Sequence, residues 1–211
     1  MYQINEIAIL LTTYCSNNER IEMYEKRVIR WLTETLLNIY LVDSANNGLK
    51  NPEILNHPRY KQLLFNQKAN EHYTKIKCLV SNENLLNIPD YAHTTYERYS
   101  VVLAIRKFKF IGNYKLVYKI TGKYFIPDWN ELLNVEGNCI FQSQHRPRYQ
   151  NSELFGCGPI AMLHIFMKMN NEKCLEEILG GLKPTYRLPP LKLDMYVGQG
   201  ANIHGCGHRE L

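Results

Sequence analysis

The chain has 211 residues, 45% of them apolar and 21% charged, with a formal net charge of +5. That length and balance predict one compact domain with a sizeable core, and they exclude a disordered chain, a collagen-like repeat and a coiled coil. The positive excess suits an anionic ligand but falls short of a nucleic-acid-binding signature. Near the start the longest apolar run, Ile7 to Leu11, follows Glu6 and has no basic segment before it. Neither a signal peptide nor a membrane span is therefore expected, and the compartment is read as the cytoplasm. Six cysteines are scattered without paired spacing, which reads as reduced thiols. Fifteen tyrosines dominate the aromatics and can pack a ring while offering a hydroxyl to a sugar or base.

In chain order, Glu6 to Thr12 is a short apolar run that predicts a strand buried on both faces and hence central in a sheet. Ser16 or Asn17 can cap the following segment, where Ile21, Tyr24, Val28, Trp31 and Leu32 recur at helical spacing. Asn38 to Asp43 predicts a second strand, and Ser44 to Gly48 is a dense turn signal. Strand, helix and strand make a βαβ crossover. The polar stretch Asn51 to Asn87 offers strands only at Gln62 to Phe65 and Ile76 to Val80. From Thr94, the spacing of Tyr99, Val102, Leu103, Ile105, Arg106 and Phe110 predicts a helix that stops near Gly112 and Asn113. Lys115 to Thr121 follows as a strand. Asp128 to Leu133 reads as a short helix capped by Asp128, and Asn138 to Gln142 as another strand.

Beyond a basic loop at His145 to Arg148, Gly158 and Pro159 open an apolar helix from Ile160 to Met169, and Asn171 to Leu179 reads as one more helix. Residues 183–211 are rich in Gly and Pro without periodicity, and predict an irregular tail or lid on the main unit of residues 1–182. The alternation of elements predicts an α/β fold: a Rossmann-like domain with a mostly parallel central sheet flanked by helices.

Ligands of open α/β sheets bind beyond the carboxyl ends of the strands. The residues there are Thr12, Thr13 and Tyr14 after the first strand, Asp43 and Ser44 after the second, and Thr121, Gly122, Lys123 and Tyr124 after the later one. Hydroxyls and a carboxylate in such a place can hold a ribose and base, while a Gly-Lys turn brings backbone N–H groups and an ammonium to phosphate oxygens.

Three segments carry a resemblance: Ile9-Leu-Leu-Thr-Thr-Tyr-Cys15, Ile39-Tyr-Leu-Val-Asp-Ser44, and Val117-Tyr-Lys-Ile-Thr-Gly-Lys-Tyr-Phe-Ile-Pro-Asp128. In this order and spacing they resemble the nucleotide-sugar glycosyltransferases of the GT-A fold over about the first 145 residues. The likeness is to small bacterial and large-DNA-virus enzymes that carry a Lys-Ile/Val-Thr-Gly-Lys/Arg-Tyr segment in place of Asp-x-Asp. Tyr96-Glu97 resembles a Gly/Tyr-Glu pair ahead of the central helix of those proteins and adds Glu97 to the candidates. The resemblance implies a GT-A-like domain that moves a monosaccharide from a nucleotide-diphosphate sugar to a glycan or glycoprotein acceptor.

Most GT-A enzymes hold Mn²⁺ or Mg²⁺ on Asp-x-Asp, and no Asp-x-Asp occurs here. Lys123, the Tyr124 hydroxyl and the backbone at Gly122 would then stabilise the diphosphate, and metal would be dispensable or only weakly required. His204 and His208 are the candidate ligands should an ion bind, because a late histidine completes the metal shell in some relatives. Inverting transfer needs a carboxylate base. Glu153, in a stretch that resembles the acceptor loop (Glu153 to Gly158), is the first candidate and Glu172 the second. Two other classes fit the residues: a nucleotide-binding or nucleotide-modifying α/β enzyme, and an RNA-binding module built on His145 to Tyr149. Basic and aromatic residues form no RNP-type motif, so nucleic acid is not the expected partner.

Overall fold

The computed structural model describes residues 2–69, 92–142, 152–168, 179–195 and 208–210. In chain order these form β1 (Ile7–Thr13), α1 (Asn18–Glu34), β2 (Asn38–Asp43), α2 (Pro52–Leu55), β3 (Tyr60–Leu64), α3 (Ala92–Lys107), β4 (Leu116–Thr121) and β5 (Tyr124–Phe125). After them come β6 (Cys139–Phe141), β7 (Leu154–Cys157), α4 (Pro159–Lys168), β8 (Tyr186–Arg187), β9 (Lys192–Met195) and β10 (His208–Glu210). The fold is α/β, with a seven-stranded sheet in the order β3-β2-β1-β4-β7-β6-β8. From β3 through β4 all neighbours are parallel, and β7 runs against both β4 and β6. A small second sheet, β10-β9-β5, is antiparallel.

All seven residues of β1 are buried, because each face of the sheet is covered. Ile7, Ile9 and Leu11 pack with Ile21, Tyr24, Val28, Trp31 and Leu32 of α1. Ala8 and Leu10 point the other way, into a core shared with Val102 and Ile105 of α3 and Met162 and Phe166 of α4. Period-2 alternation between two apolar layers leaves no polar position from Ile7 to Leu11, which is why that stretch reads as an unbroken hydrophobic run. Asn17 caps α1 by accepting the Arg20 N–H at 2.9 Å. Trp31 is fully buried, edge-on to Phe125, and its indole N–H donates to the Tyr124 carbonyl at 3.2 Å.

Several expectations need correction. The helix predicted to reach Gly112 stops at Lys107: Lys109 takes φ 54°, and Phe110 and Lys109 donate back to Ile105 and Arg106. This left-handed closure seats Phe110 in the core below the helix end. Tyr96 and Glu97 lie within α3, not ahead of it. Residues 129–132 form a 3-10 turn, and the Asp128 side chain makes no cap bond. Glu153 to Gly158 is no loop, since Leu154–Cys157 is strand β7. A glycine is required there because a Cβ on Gly156 would stand 2.4 Å from the Tyr118 ring. Within the described part of the tail there are short strands: β8 extends the main sheet beside β6, while β9 bridges β5 and β10. These strands are two to four residues long and draw their order from neighbours distant in sequence, so they carry no periodic signal. The expected strand Gln62 to Phe65 is found as β3, whereas Ile76 to Val80, the basic loop at His145 to Arg148 with Tyr149 beside it, and most of Asn171 to Leu179 lie outside the described residues. Among the described residues no helix is long and apolar enough to cross a membrane.

Candidate active site

A cavity of about 480 Å³ opens beyond the carboxyl ends of the four parallel strands. The end of β1 contributes Thr12 and Thr13 to its wall, and the following loop adds Tyr14 and Ser16. The turn after β2 gives Ser44, the segment after β3 gives Gln67 and the end of β4 gives Thr121, while α1 presents Arg20 and Tyr24 and α3 presents Tyr96, Glu97 and Ser100. Strand ends that are distant in sequence meet here because parallel strands in register terminate at one edge, with Thr12 opposite both Val42 and Thr121.

Five of the residues expected at this edge, Thr12, Thr13, Tyr14, Ser44 and Thr121, therefore line one cavity, together with Glu97, the candidate that the resemblance added. Asp43 is fully buried behind them and does not line it. Its Oδ1 accepts the Cys15 N–H at 2.7 Å and the Thr13 hydroxyl at 3.3 Å, while Oδ2 accepts the N–H groups of Asn47 and Gly48 at 3.0 and 3.1 Å. The carboxylate thus ties the loop after β1 to the turn after β2. Burial, with Asp43 beside it, pushes the Cys15 thiol well up, so this sulfur stays protonated. Burial likewise raises the Tyr24 phenol.

The Gly-Lys turn sits at the same edge with its backbone partly occupied. Gly122 donates its N–H to the Thr12 carbonyl at 2.9 Å, and a Cβ there would meet Thr13 Cγ2 at 2.4 Å. The ammonium of Lys123 lies 5.0 Å from the centre of the Tyr124 ring, and neither residue lines the cavity. Tyr124 is buried in the core beside α1. Arg20, which sequence reasoning missed, is the described cation in the cavity wall; it extends over Tyr14, with its guanidinium 5.9 Å from the ring centre and 3.5 Å from the Tyr14 carbonyl.

The other missed residue is Lys119. It is 1% exposed in the middle of β4, on the face turned to α3, where it pairs with Glu97 Oε1 and donates to the Ser152 carbonyl at 2.8 Å. The same Glu97 oxygen accepts the Thr12 hydroxyl at 3.1 Å. A lysine inside an otherwise apolar strand was the signal available in the sequence. Glu153 stands one strand over, its carbonyl accepting the Thr121 N–H at 2.9 Å and its Oε2 accepting from Gln142 Nε2 at 3.4 Å. Glu172 and His204 lie outside the described residues, and of His208 only the backbone is described, paired with Asp194 in β10–β9.

A divalent cation does not fit the donor set at the end of β4, where a hydroxyl, a glycine and an ammonium stand in succession. Among the described residues no three His, Cys, Asp or Glu side chains come together.

No family model and no curated protein sequence matches the chain. Solved structures of similar shape include an active-site mutant of LgtC, at 9% identity and a TM-score of 0.49 over 86% of this chain and 71% of that one. The galactosyltransferase LgtC in complex with donor and acceptor sugar analogs is similar at 10% identity and a TM-score of 0.49, over 82% of this chain and 68% of that one. At that level of likeness neither carries an assignment of function, which rests on the site itself.

Proposed function

We propose that the protein is a GT-A-like glycosyltransferase that transfers a monosaccharide from a nucleotide-diphosphate sugar to a glycan or glycoprotein acceptor. The observation that carries this reading is the hydroxyl-rich cavity at the ends of β1 to β4, which holds a cation, Arg20, on one wall and a carboxylate, Glu97, on another. Hydroxyls of Thr12, Thr13, Ser44 and Thr121 and the ring of Tyr14 suit a ribose and base. Arg20, near the start of α1, suits the diphosphate, and Lys123 with the Gly122 turn would add charge from the neighbouring strand end.

Departure of a diphosphate needs positive charge where negative charge develops, and a fixed cation supplies it without reorganisation. This places the burden on Arg20 and Lys123 and makes the transfer independent of, or only weakly dependent on, Mn²⁺ or Mg²⁺. For inversion, Glu153 is the base that takes the acceptor hydroxyl proton, supported by its position across from Thr121 at the same sheet edge; Glu172 remains the second candidate. The free thiols of Cys15, Cys139 and Cys157 support the cytoplasm as the compartment.

The test is a thermal-shift screen against UDP, GDP, CMP and dTDP sugars with and without Mn²⁺, followed by assay of donor hydrolysis. A ligand at 100 times its dissociation constant adds ~2.7 kcal/mol of stability. Stabilisation by a nucleotide sugar with slow release of its sugar is expected. Binding of free nucleotide with no sugar released would favour the nucleotide-modifying class, and no stabilisation by any member would end both readings.

A further inference from the structure

An ammonium with 1% exposure is an unusual way to stabilise a strand. Taking both charges of a pair out of water offsets most of their attraction, so an apolar residue of similar volume holds such a position as well or better. Val117, Lys119 and Thr121 share the face of β4 turned to α3, and Val117 beside it is packed in the apolar core. Lys119 makes its contacts at the boundary between that core and the cavity. Its ammonium meets Glu97 Oε1, and the Ser152 carbonyl takes a second of its protons. The Thr12 hydroxyl fills the remaining direction on the same oxygen. Both donors converge on Oε1, so Oε2 of Glu97 has no protein donor among the described residues, while the carboxylate, 24% exposed, lines the cavity. A carboxylate with one oxygen clamped and the other open accepts hydrogen bonds in a defined direction.

We infer that Lys119 is a positioning residue that holds Glu97 so that Oε2 accepts a hydroxyl from a sugar ring of the bound ligand. This rests on the reading of the cavity as a nucleotide-sugar site. The ring is either the ribose of the nucleotide or the transferred sugar, and both present the same vicinal-hydroxyl chemistry. Because Lys119 also holds the Ser152 carbonyl, it ties the residue before Glu153 to the ligand-facing carboxylate, and so links the α3 side of the cavity to the edge where the base would stand.

The experiment titrates UDP, GDP, their 2′-deoxy analogues, UDP-glucose and GDP-mannose into the wild-type protein, into Lys119→Met, and into the charge-free double variant Lys119→Met/Glu97→Gln, with unfolding followed on each. Wild-type protein that binds none of the six, nor any CMP or dTDP sugar, ends the functional reading and the inference together. Given wild-type binding, both variants are expected to bind about tenfold more weakly, a loss of ~1.4 kcal/mol. The double variant is expected to unfold close to the wild-type temperature, because it buries no unpaired charge. Loss of discrimination between ribo and 2′-deoxy forms in the variants assigns the ribose as partner; loss of the affinity gained from the attached sugar assigns the transferred ring. Wild-type affinity and discrimination in either variant overturn the inference alone, by showing the pair to be structural. Should Lys119→Met fail to fold, the double variant, which buries no unpaired charge, carries the test: a loss of the same discrimination supports the clamp, and wild-type discrimination overturns it.

Discussion

The carboxylate of Asp43 reaches across from the end of β2 to the Cys15 N–H at 2.7 Å, and so sets the path of the loop that lines the cavity. Its other oxygen closes the turn over Asn47 and Gly48, where Asn46 and Gly48 adopt φ values of 63° and 61°. This acid, expected among the nucleotide-sugar contacts, is the fastener behind the hydroxyls that line the cavity. Asp43→Ala would strand the N–H groups of Cys15 and Gly48 in a buried place and leave that of Asn47 half-buried, and each buried donor costs ~1–3 kcal/mol. The expected loss is about 3 kcal/mol or more in urea unfolding, together with loss of nucleotide binding. A variant with wild-type stability would contradict this assignment.

Gly122 brings the turn after β4 against the end of β1, with no room for a methyl group beside Thr13 Cγ2. Gly122→Ala is expected to cost ~1–3 kcal/mol through overpacking. Thr13→Ser removes the opposing methyl and keeps the hydroxyl bonded to the Val42 carbonyl and Asp43. The pair Gly122→Ala/Thr13→Ser should therefore recover most of the lost stability in denaturant melts, and additive losses would show that the strain lies elsewhere.

Arg20 lines the cavity and Lys123 does not. Calorimetric titration of a bound nucleoside diphosphate should therefore show a loss of about tenfold for Arg20→Ala, with little change in unfolding temperature because the side chain is exposed. Lys123→Ala should lose less. The loss should shrink at high salt, where an exposed charge is screened. The reverse ranking would return the phosphates to the Gly-Lys turn.

Cys139 and Cys157 face each other across β6 and β7. The hydrogen bond from Cys157 pulls the Cys139 thiol down to about 7, with a backbone contact at Thr185 adding to it, while the same contact and burial push Cys157 up. Lowering of a thiol means that the thiolate forms at lower pH, so alkylation of Cys139 by iodoacetamide should rise through a midpoint near 7. Cys157→Ala removes the donor and should move that midpoint upward, toward ~8.5. A wild-type midpoint already at the ordinary thiol value would refute the pairing.

The first 50 residues were the most legible part of the chain. β1, α1 and β2 fall where the apolar run, the helical spacing and the Asn17 cap predict them, because each depends on a periodic pattern local to its own segment. Parallel order then brings Thr12, Ser44 and Thr121 to one edge, so the place of the cavity was also readable from strand ends. What the cavity contains was a different matter. Asp43 at a strand end, Lys119 within a strand and Arg20 near a helix start are all charged residues, and nothing in their spacing separates a fastener from a clamp or a ligand contact. Those roles are set by which partners surround each side chain: four donors for Asp43, a carboxylate and a carbonyl acceptor for Lys119. The two-residue strands β5 and β8 were equally hidden, because their order comes from partners across the sheet. Local periodicity was determined by the sequence itself; the pairing of charges, which depends on distances between residues up to 164 positions apart as in Arg30 and Asp194, was decided only when the chain had folded.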